Sequence, residues 1–328
     1  MKSSIVSAVL AALFLNLNPT LGATTNLYSA QFESSEGYNT NLDLVGQAGW
    51  VSAGSGGNGV LTRGITGQGR SAYIGFAPPN PVDDSLVVWQ PINFDPNTAG
   101  SPVVKFSVVM SIIDSVGTAN RDIFRWSVYN RQGSRLFSIG FDNLYLDVGY
   151  QLDGTNKLTL PPSLFFTNDT IYTLSVTMNF AANRWSATYN NTLIATNQLI
   201  TTVNALLDFG DADAVWLVNQ GSYTNGLGQV ISTNAPGNNY MLFDNYRLTA
   251  ETLPVTPARV QFLGRTTEGW GLLRVFGDNG SRWALEATTN LVNWTTVKTN
   301  LVSGGSYDQV DTTAAGIGRR FYRARFVP

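Results

Sequence analysis

Hydrophobic and polar positions alternate with a period of two along most of this chain. The pattern is clearest where Tyr172, Leu174, Val176, Met178 and Phe180 alternate with Thr173, Ser175, Thr177 and Asn179. Successive side chains of a strand point to opposite faces, so this segment predicts a half-buried β-strand. Ala181-Ala182-Asn183 then turns the chain into a run with Trp185, Ala187 and Tyr189 on one face, and Asn190-Asn191 turns it again into Leu193-Ile194-Ala195. A three-stranded antiparallel meander is the expected result. Val104, Phe106, Val108, Met110 and Ile112 repeat the pattern; so do Phe124, Trp126 and Val128 against Arg125, Ser127 and Tyr129, and Phe137, Ile139 and Phe141 against Ser138 and Gly140. No long stretch sustains a helical period. Many strands separated by Gly, Asn and Pro turns predict an all-β fold built as a large antiparallel jelly-roll-like sandwich.

The alternation stops at Glu251-Thr252-Leu253-Pro254-Val255-Thr256-Pro257-Ala258, whose two prolines mark a linker. Beyond it, Arg259 to Leu263, Trp270 to Phe276, Arg282 to Ala287, Trp294 to Thr299 and Arg320 to Phe326 predict a small C-terminal β-sandwich. At the other end, Lys2 precedes an apolar run from Ile5 to Leu15, and Asn16-Leu17-Asn18-Pro19 breaks it ahead of small residues Thr20, Gly22 and Ala23. This order is that of a signal peptide, and the run is shorter than the roughly 20 residues that span a bilayer. The expected plan is a signal peptide over 1–23, a sandwich over 24–250, a linker over 251–258 and a small domain over 259–328. No membrane span is expected after removal of the signal, and the location is secreted: extracellular, cell-surface or periplasmic.

Two resemblances bear on this plan. The meander from Tyr172 to Thr196, together with the closing run Phe243-Asp244-Asn245-Tyr246-Arg247-Leu248, resembles concanavalin A-like jelly-roll (lectin- and glucanase-like) domains, whose secreted members often end on a similar strand. The tail, with Trp283-Ala284-Leu285-Glu286-Ala287-Thr288-Thr289-Asn290-Leu291-Val292-Asn293-Trp294 and Arg320-Phe321-Tyr322-Arg323-Ala324, is similar to small C-terminal β-modules of exported bacterial proteins. The second resemblance implies a bacterial exported protein and brings no chemistry with it.

Composition narrows the chemistry further. The chain has no histidine and no cysteine, which removes Ser-His-Asp triads, thiol nucleophiles, imidazole acid–base catalysis and His or Cys metal ligands. It also removes disulfides, so the exported chain must be held by its core. Apolar residues make up 43% and charged residues only 13%, and the formal net charge of −2 gives no reason to expect nucleic acid as a partner. Gly54-Ser55-Gly56-Gly57-Asn58-Gly59 matches a dinucleotide-loop pattern, but no helix-forming run follows and a surface loop is expected. Arg319, Arg320, Arg323 and Arg325 are split by alternation between two faces, favouring cross-strand pairs with Asp308, Asp311 or Glu286 over a basic patch.

Candidate sites remain few. Asp208, Asp211 and Asp213 around Gly210 form an oxygen-rich cluster that suits Ca²⁺, although aspartates also serve turns. Asp142, Asn143 and Asp147 offer the same choice. The carboxylate run of jelly-roll glycosidases is absent, and the glutamates beyond the signal are confined to Glu33, Glu36, Glu251, Glu268 and Glu286. A sugar ring packs its C–H face on an aromatic ring and gives its hydroxyls to planar polar groups. Arg125, Tyr129, Tyr145 and Tyr150 supply that mixture and are the candidate carbohydrate-binding residues. The leading expectation is a non-catalytic protein binding a polysaccharide or cell-surface glycan. The alternatives are a polysaccharide lyase or glycoside hydrolase using Tyr and Asp, and a structural or adhesive surface protein.

Overall fold

The computed structural model describes residues 23–75, 83–116, 120–155, 158–219, 222–224, 229–232, 235–253, 256–278 and 281–327. Residues 1–22 of the expected signal peptide over 1–23, and Pro254-Val255 of the expected linker, lie outside the described residues. The described chain forms two compact units, one over Ala23–Leu253 and one beyond it.

The first unit opens with β1 (Thr24–Ala30), β2 (Val51–Gly54), β3 (Asn58–Leu61), β4 (Ser71–Ile74), β5 (Ser85–Trp89) and β6 (Val103–Ile113). It continues with β7 (Ile123–Tyr129), β8 (Arg135–Asp142), β9 (Asp147–Leu152), β10 (Tyr172–Asn179), β11 (Arg184–Tyr189) and β12 (Thr192–Leu199). Its last strands are β13 (Asp211–Leu217), β14 (Ser222–Thr224), β15 (Val230–Ser232) and β16 (Tyr240–Glu251). An eight-stranded sheet runs β12-β11-β10-β6-β16-β4-β3, with β1 also on β16; a six-stranded sheet runs β2-β5-β13-β7-β8-β9, and β14 pairs with β15. Every strand pair in both large sheets is antiparallel.

The expected meander is present as β10, β11 and β12, and its turns explain why. Asn183, Asn190 and Asn191 all adopt left-handed backbone, with φ of 52°, 44° and 66°. Asparagine tolerates that region better than other side-chain-bearing residues, and a two-residue hairpin matched to strand twist needs it at both positions. Register then puts Leu174 beside Val108, Val176 beside Phe106 and Met178 beside Val104. These side chains are buried between the sheets. Rings cross the same interior: Phe137 of β8 stacks on Trp185 of β11 at 3.9 Å between centroids, and Trp126 of β7 meets Phe243 of β16 edge-on at 5.3 Å. The fold of this unit is therefore a two-sheet antiparallel sandwich with an aromatic core.

The linker expectation is corrected at its first residue. Glu251 ends β16, opposite Thr24 of β1 and Val103 of β6, and its carboxylate pairs with Lys105 at 2.8 Å.

The second unit contains β17 (Arg259–Arg265), β18 (Gly271–Phe276), β19 (Arg282–Thr288), β20 (Thr295–Leu301), β21 (Ser306–Asp311) and β22 (Phe321–Phe326). They form two three-stranded sheets, β17-β18-β21 and β20-β19-β22, around Leu273, Val275, Trp283, Leu285 and Val302. The tail arginines make the cross-strand pairs that alternation favours: Arg323 and Arg325 both reach Glu286, at 2.8 and 2.7 Å, and Arg320 reaches Asp311 at 2.6 Å. Asp308 instead belongs to Arg274, at 2.6 Å.

Candidate functional site

The six-stranded sheet turns one face to the core and the other outward. On β13, Ala212, Ala214 and Trp216 are fully buried in the core, which puts Asp211, Asp213 and Val215 on the outer face. On β7, Phe124, Trp126 and Val128 point inward and Arg125, Ser127 and Tyr129 outward. Register places Tyr129 beside Asp211, Ser127 beside Asp213 and Arg125 beside Val215. The row through Ser127 continues over Ser138 of β8 to Gln151 of β9. In the other direction, the register that sets Val88 against Ala214 brings Trp89 of β5 alongside Asp213. One outer row therefore reads Trp89, Asp213, Ser127, Ser138, Gln151, flanked by the row of Asp211, Tyr129 and Arg135.

The start of β13 is fixed by close backbone approach. A side chain at Gly210 would lie 2.5 Å from the Asn130 carbonyl oxygen, and the Gly210 N–H donates to the Tyr129 carbonyl at 2.8 Å. Beneath the strand, the buried Tyr246 hydroxyl donates to the Ala212 carbonyl at 3.0 Å.

Polar groups on this face are tied to one another. The Ser127 and Ser138 hydroxyls share a hydrogen bond of 2.7 Å. Arg125 donates to the Gln151 amide oxygen at 3.4 Å, and Arg135 donates to the same oxygen and to the carbonyls of Leu152 and Thr155, both at 3.2 Å. Burial and the neighbouring Arg135 charge make Arg125 less basic than usual, and its Nε has no hydrogen-bond partner. Asp213 is 5% exposed with Oδ1 unpartnered, and burial followed by the Asp211 carboxylate pushes its pKa up strongly. Asp211 is pushed up by burial as well. Two carboxyl groups this close and this shielded do not both ionise near neutrality, so the pair holds a proton there. Burial and the two aspartates also raise the Tyr129 phenol. The far side of the face is closed along β9: Thr159 exchanges backbone hydrogen bonds of 2.9 and 2.7 Å with Tyr150, and Leu158 lies where a side chain on Gly149 would stand.

Of the four residues expected to bind carbohydrate, the structure brings Arg125 and Tyr129 together on this face. Tyr150 is corrected to the inner face. It pairs with Ile139, follows the parity of Val148 and Leu152, and sets its ring edge-on to Trp185 at 5.7 Å. Tyr145 lies in the β8–β9 turn, 56% exposed, with its N–H donating to Asp142. The expected calcium cluster is corrected too. Asp208 is spent on Arg131, accepting from its backbone N–H at 3.0 Å and its Nε at 2.6 Å. Among the described residues no group of three or more acidic side chains converges as a metal site. Asp142 likewise serves its turn, accepting from the Leu144 N–H at 2.9 Å, while Asn143 donates to Asn239 at 2.7 Å. Trp89 was not anticipated, yet its signal is in the sequence: Leu86 and Val88 point inward, so Trp89 points outward with Ser85 and Val87.

Neither a family model nor a curated protein matches the chain. Among solved structures it is similar to the CBM2 module of an evolved Dit protein of Lactobacillus casei BL23 phage J-1. That likeness has 9% identity and a TM-score of 0.44, covering 71% of this chain and 99% of that one. It is similar to a cellulose induced protein at 13% identity, with 67% and 96% covered and a TM-score of 0.42. A Bacillus subtilis protein of unknown function with a galectin-like fold gives 10% identity, 70% and 99% covered, and a TM-score of 0.40. A sialidase gives 10% identity and a TM-score of 0.43 over 71% of this chain, which spans 19% of that one. These likenesses assign no residue a role.

Proposed function

We propose that this protein is a non-catalytic carbohydrate-binding protein acting outside the cytoplasm, with the outer face of the six-stranded sheet as its binding surface. One observation carries the reading: Trp89 and Tyr129, both partly exposed, stand beside Asp213 and Asp211 on one strand-borne face. Rings offer the C–H face of a sugar a flat apolar contact, and the carboxyl and guanidinium groups of Asp211, Arg125 and Arg135 match its hydroxyls, with the buried Gln151 amide holding both arginines in place. Groups held on strands keep that geometry without ordering a loop on binding. Export is supported by Lys2, the Ile5 to Leu15 apolar run and the small residues at Thr20 and Gly22.

Electrophoresis of the full chain through native gels containing soluble polysaccharides tests this. The expected result is retardation by at least one glycan without its depolymerisation, with Trp89→Ala and Tyr129→Ala each weakening binding roughly fivefold. The proton held between Asp211 and Asp213 favours a second reading, glycosidic bond hydrolysis with one carboxyl as acid and the other as base or nucleophile. New reducing ends that disappear in Asp213→Asn would replace the binding reading with that one. Absence of retardation by any glycan, with retention on cell envelopes, would favour a structural or adhesive protein.

A further inference from the structure

The outer face of the eight-stranded sheet carries a different chemistry. A groove of about 260 Å³ lies over β6, β10 and β16, and one of about 250 Å³ adjoins it over β10 and β11, the two sharing Thr177. Register makes the floor a field of short polar side chains: Thr249, Lys105, Thr177 and Ser186 form one row, and Arg247, Ser107, Ser175 and Thr188 the next. Phe106 and Trp185 border the grooves but are buried, so among the described residues no exposed ring lines them.

The charges on this face do not cancel. Lys105 is neutralised by Glu251 at 2.8 Å. Arg247 and Arg184, both exposed, have no acidic group within ion-pair distance among the described residues. Two uncompensated guanidinium groups thus flank a hydroxyl-lined trough on a protein whose formal net charge is −2. Arg247 and Arg184 are separated by three strand spacings and four residues of strand, roughly 20 Å. A single small anion cannot engage both; a chain bearing repeated negative groups can.

We propose that this face is a second glycan-binding surface, for an anionic polysaccharide whose carboxylate or sulfate groups meet Arg247 and Arg184 while its hydroxyls lie on the Ser and Thr floor. A guanidinium group pairs equally with either anion in a fork geometry. Single-stranded nucleic acid also presents repeated anions, but its binding surfaces add exposed rings for base stacking, and these grooves have none. The proposal concerns residues apart from Trp89 and Tyr129, so either surface can fail alone.

The test uses the full chain in native gels containing polygalacturonate, dextran sulfate or uncharged dextran. At low salt at least one polyanion should retard it, with the effect falling as salt rises. The doubly substituted R184A/R247A chain should lose roughly fivefold to tenfold of that affinity. R184K/R247K, which keeps the charge but not the fork, should fall between wild type and R184A/R247A, and Trp89→Ala should leave the affinity unchanged. Retardation by polygalacturonate alone identifies carboxylate as the partner group, and by dextran sulfate alone, sulfate. The proposal is overturned if neither polyanion retards the chain, if R184A/R247A with an unaltered melting temperature behaves as wild type, or if a single-stranded oligonucleotide binds more tightly than both polyanions.

Discussion

Asp211 and Asp213 stand two residues apart on the outer face of β13, and the more buried of the two, Asp213, has a carboxyl oxygen without a hydrogen-bond partner among the described residues. Burial raises both above the usual carboxylate range, and the Asp211 carboxylate raises Asp213 further. An acid whose pKa is higher folded than unfolded contributes stability that is fully present below the unfolded pKa and is lost as pH rises from there through the folded one. Stability of the first unit should therefore decline from mildly acidic toward neutral and alkaline pH. Asp213→Asn cannot ionise, so its melting temperature should vary less over that range than that of wild type. Parallel slopes in the two proteins would show that the pair does not store a proton.

A third acid acts in the same direction from a different place. Asp244 lies on β16 where the register slips between Asp244 and Arg247; it is fully buried and its Oδ2 has no hydrogen-bond partner. Burial, followed in smaller part by the charges of Glu33 and Glu36, pushes its pKa up to about 7 from 3.8. Subtracting the melting profile of Asp244→Asn from that of wild type should leave a difference that falls between about pH 4 and about pH 7 and is flat above. A flat difference throughout would mean that Asp244 ionises in the folded protein at the same pH as in the unfolded chain.

Alternation and turn chemistry carry most of this fold in the sequence. The β10–β12 meander is readable because apolar residues repeat at period two and asparagines stand where the backbone must be left-handed. The same parity finds Arg125 and Tyr129; applied to β5 it points Trp89 outward with Ser85 and Val87, and applied to Val148, Tyr150 and Leu152 of β9 it turns Tyr150 inward. Strand β21 escapes the pattern because Ser306-Tyr307-Asp308-Gln309-Val310-Asp311 is mostly polar; Tyr307 earns its place by donating to the Trp283 carbonyl at 3.1 Å. Asp208 is illegible for another reason. Its partner Arg131 lies 77 positions away, and no local spacing reveals that an oxygen-rich cluster has already lost a member to an ion pair.

That pair separates a structural role from a metal-binding one. If Asp208 serves Arg131, added calcium should leave the melting temperature of wild type unchanged, and Arg131→Ala should lower it by stranding a carboxylate that is 1% exposed. Calcium-dependent stabilisation of wild type that disappears in Asp208→Asn would restore the metal reading.

The aromatic core predicts a large and specific loss. Trp185 stacks on Phe137 across the sandwich, meets Tyr150 edge-on and donates its Nε1–H to the Leu199 carbonyl at 3.1 Å. Trp185→Ala would remove all three contacts and leave a cavity, costing about 3–5 kcal/mol. Trp185→Phe keeps a ring against Phe137 and should cost less. Urea unfolding followed by circular dichroism measures both, and equal costs would show that the stack contributes little beyond the hydrogen bond.

The second unit should respond to acid in the opposite sense. Glu286 is 5% exposed, which by itself raises a carboxyl pKa, yet hydrogen bonds and charge from Arg325 and Arg323 outweigh burial and hold it low. Such a group contributes stability above its unfolded pKa and loses it as pH falls through the folded one. Arg323 also lies 4.2 Å over the Trp294 ring, so loss of the carboxylate would loosen the arginine that covers this indole. Acidification below about pH 4.5 should therefore weaken this unit while Asp213 and Asp244 favour the first. Proteolysis with pepsin, followed by mass spectrometry, should find cleavage beyond Leu253 before cleavage within β10 or β13. Glu286→Gln should bring that early cleavage about at higher pH, tested with an acid-tolerant protease active over the whole range. If Glu286→Gln leaves the order and the pH of cleavage unchanged, the Arg323–Glu286–Arg325 cluster does not set the acid stability of the unit.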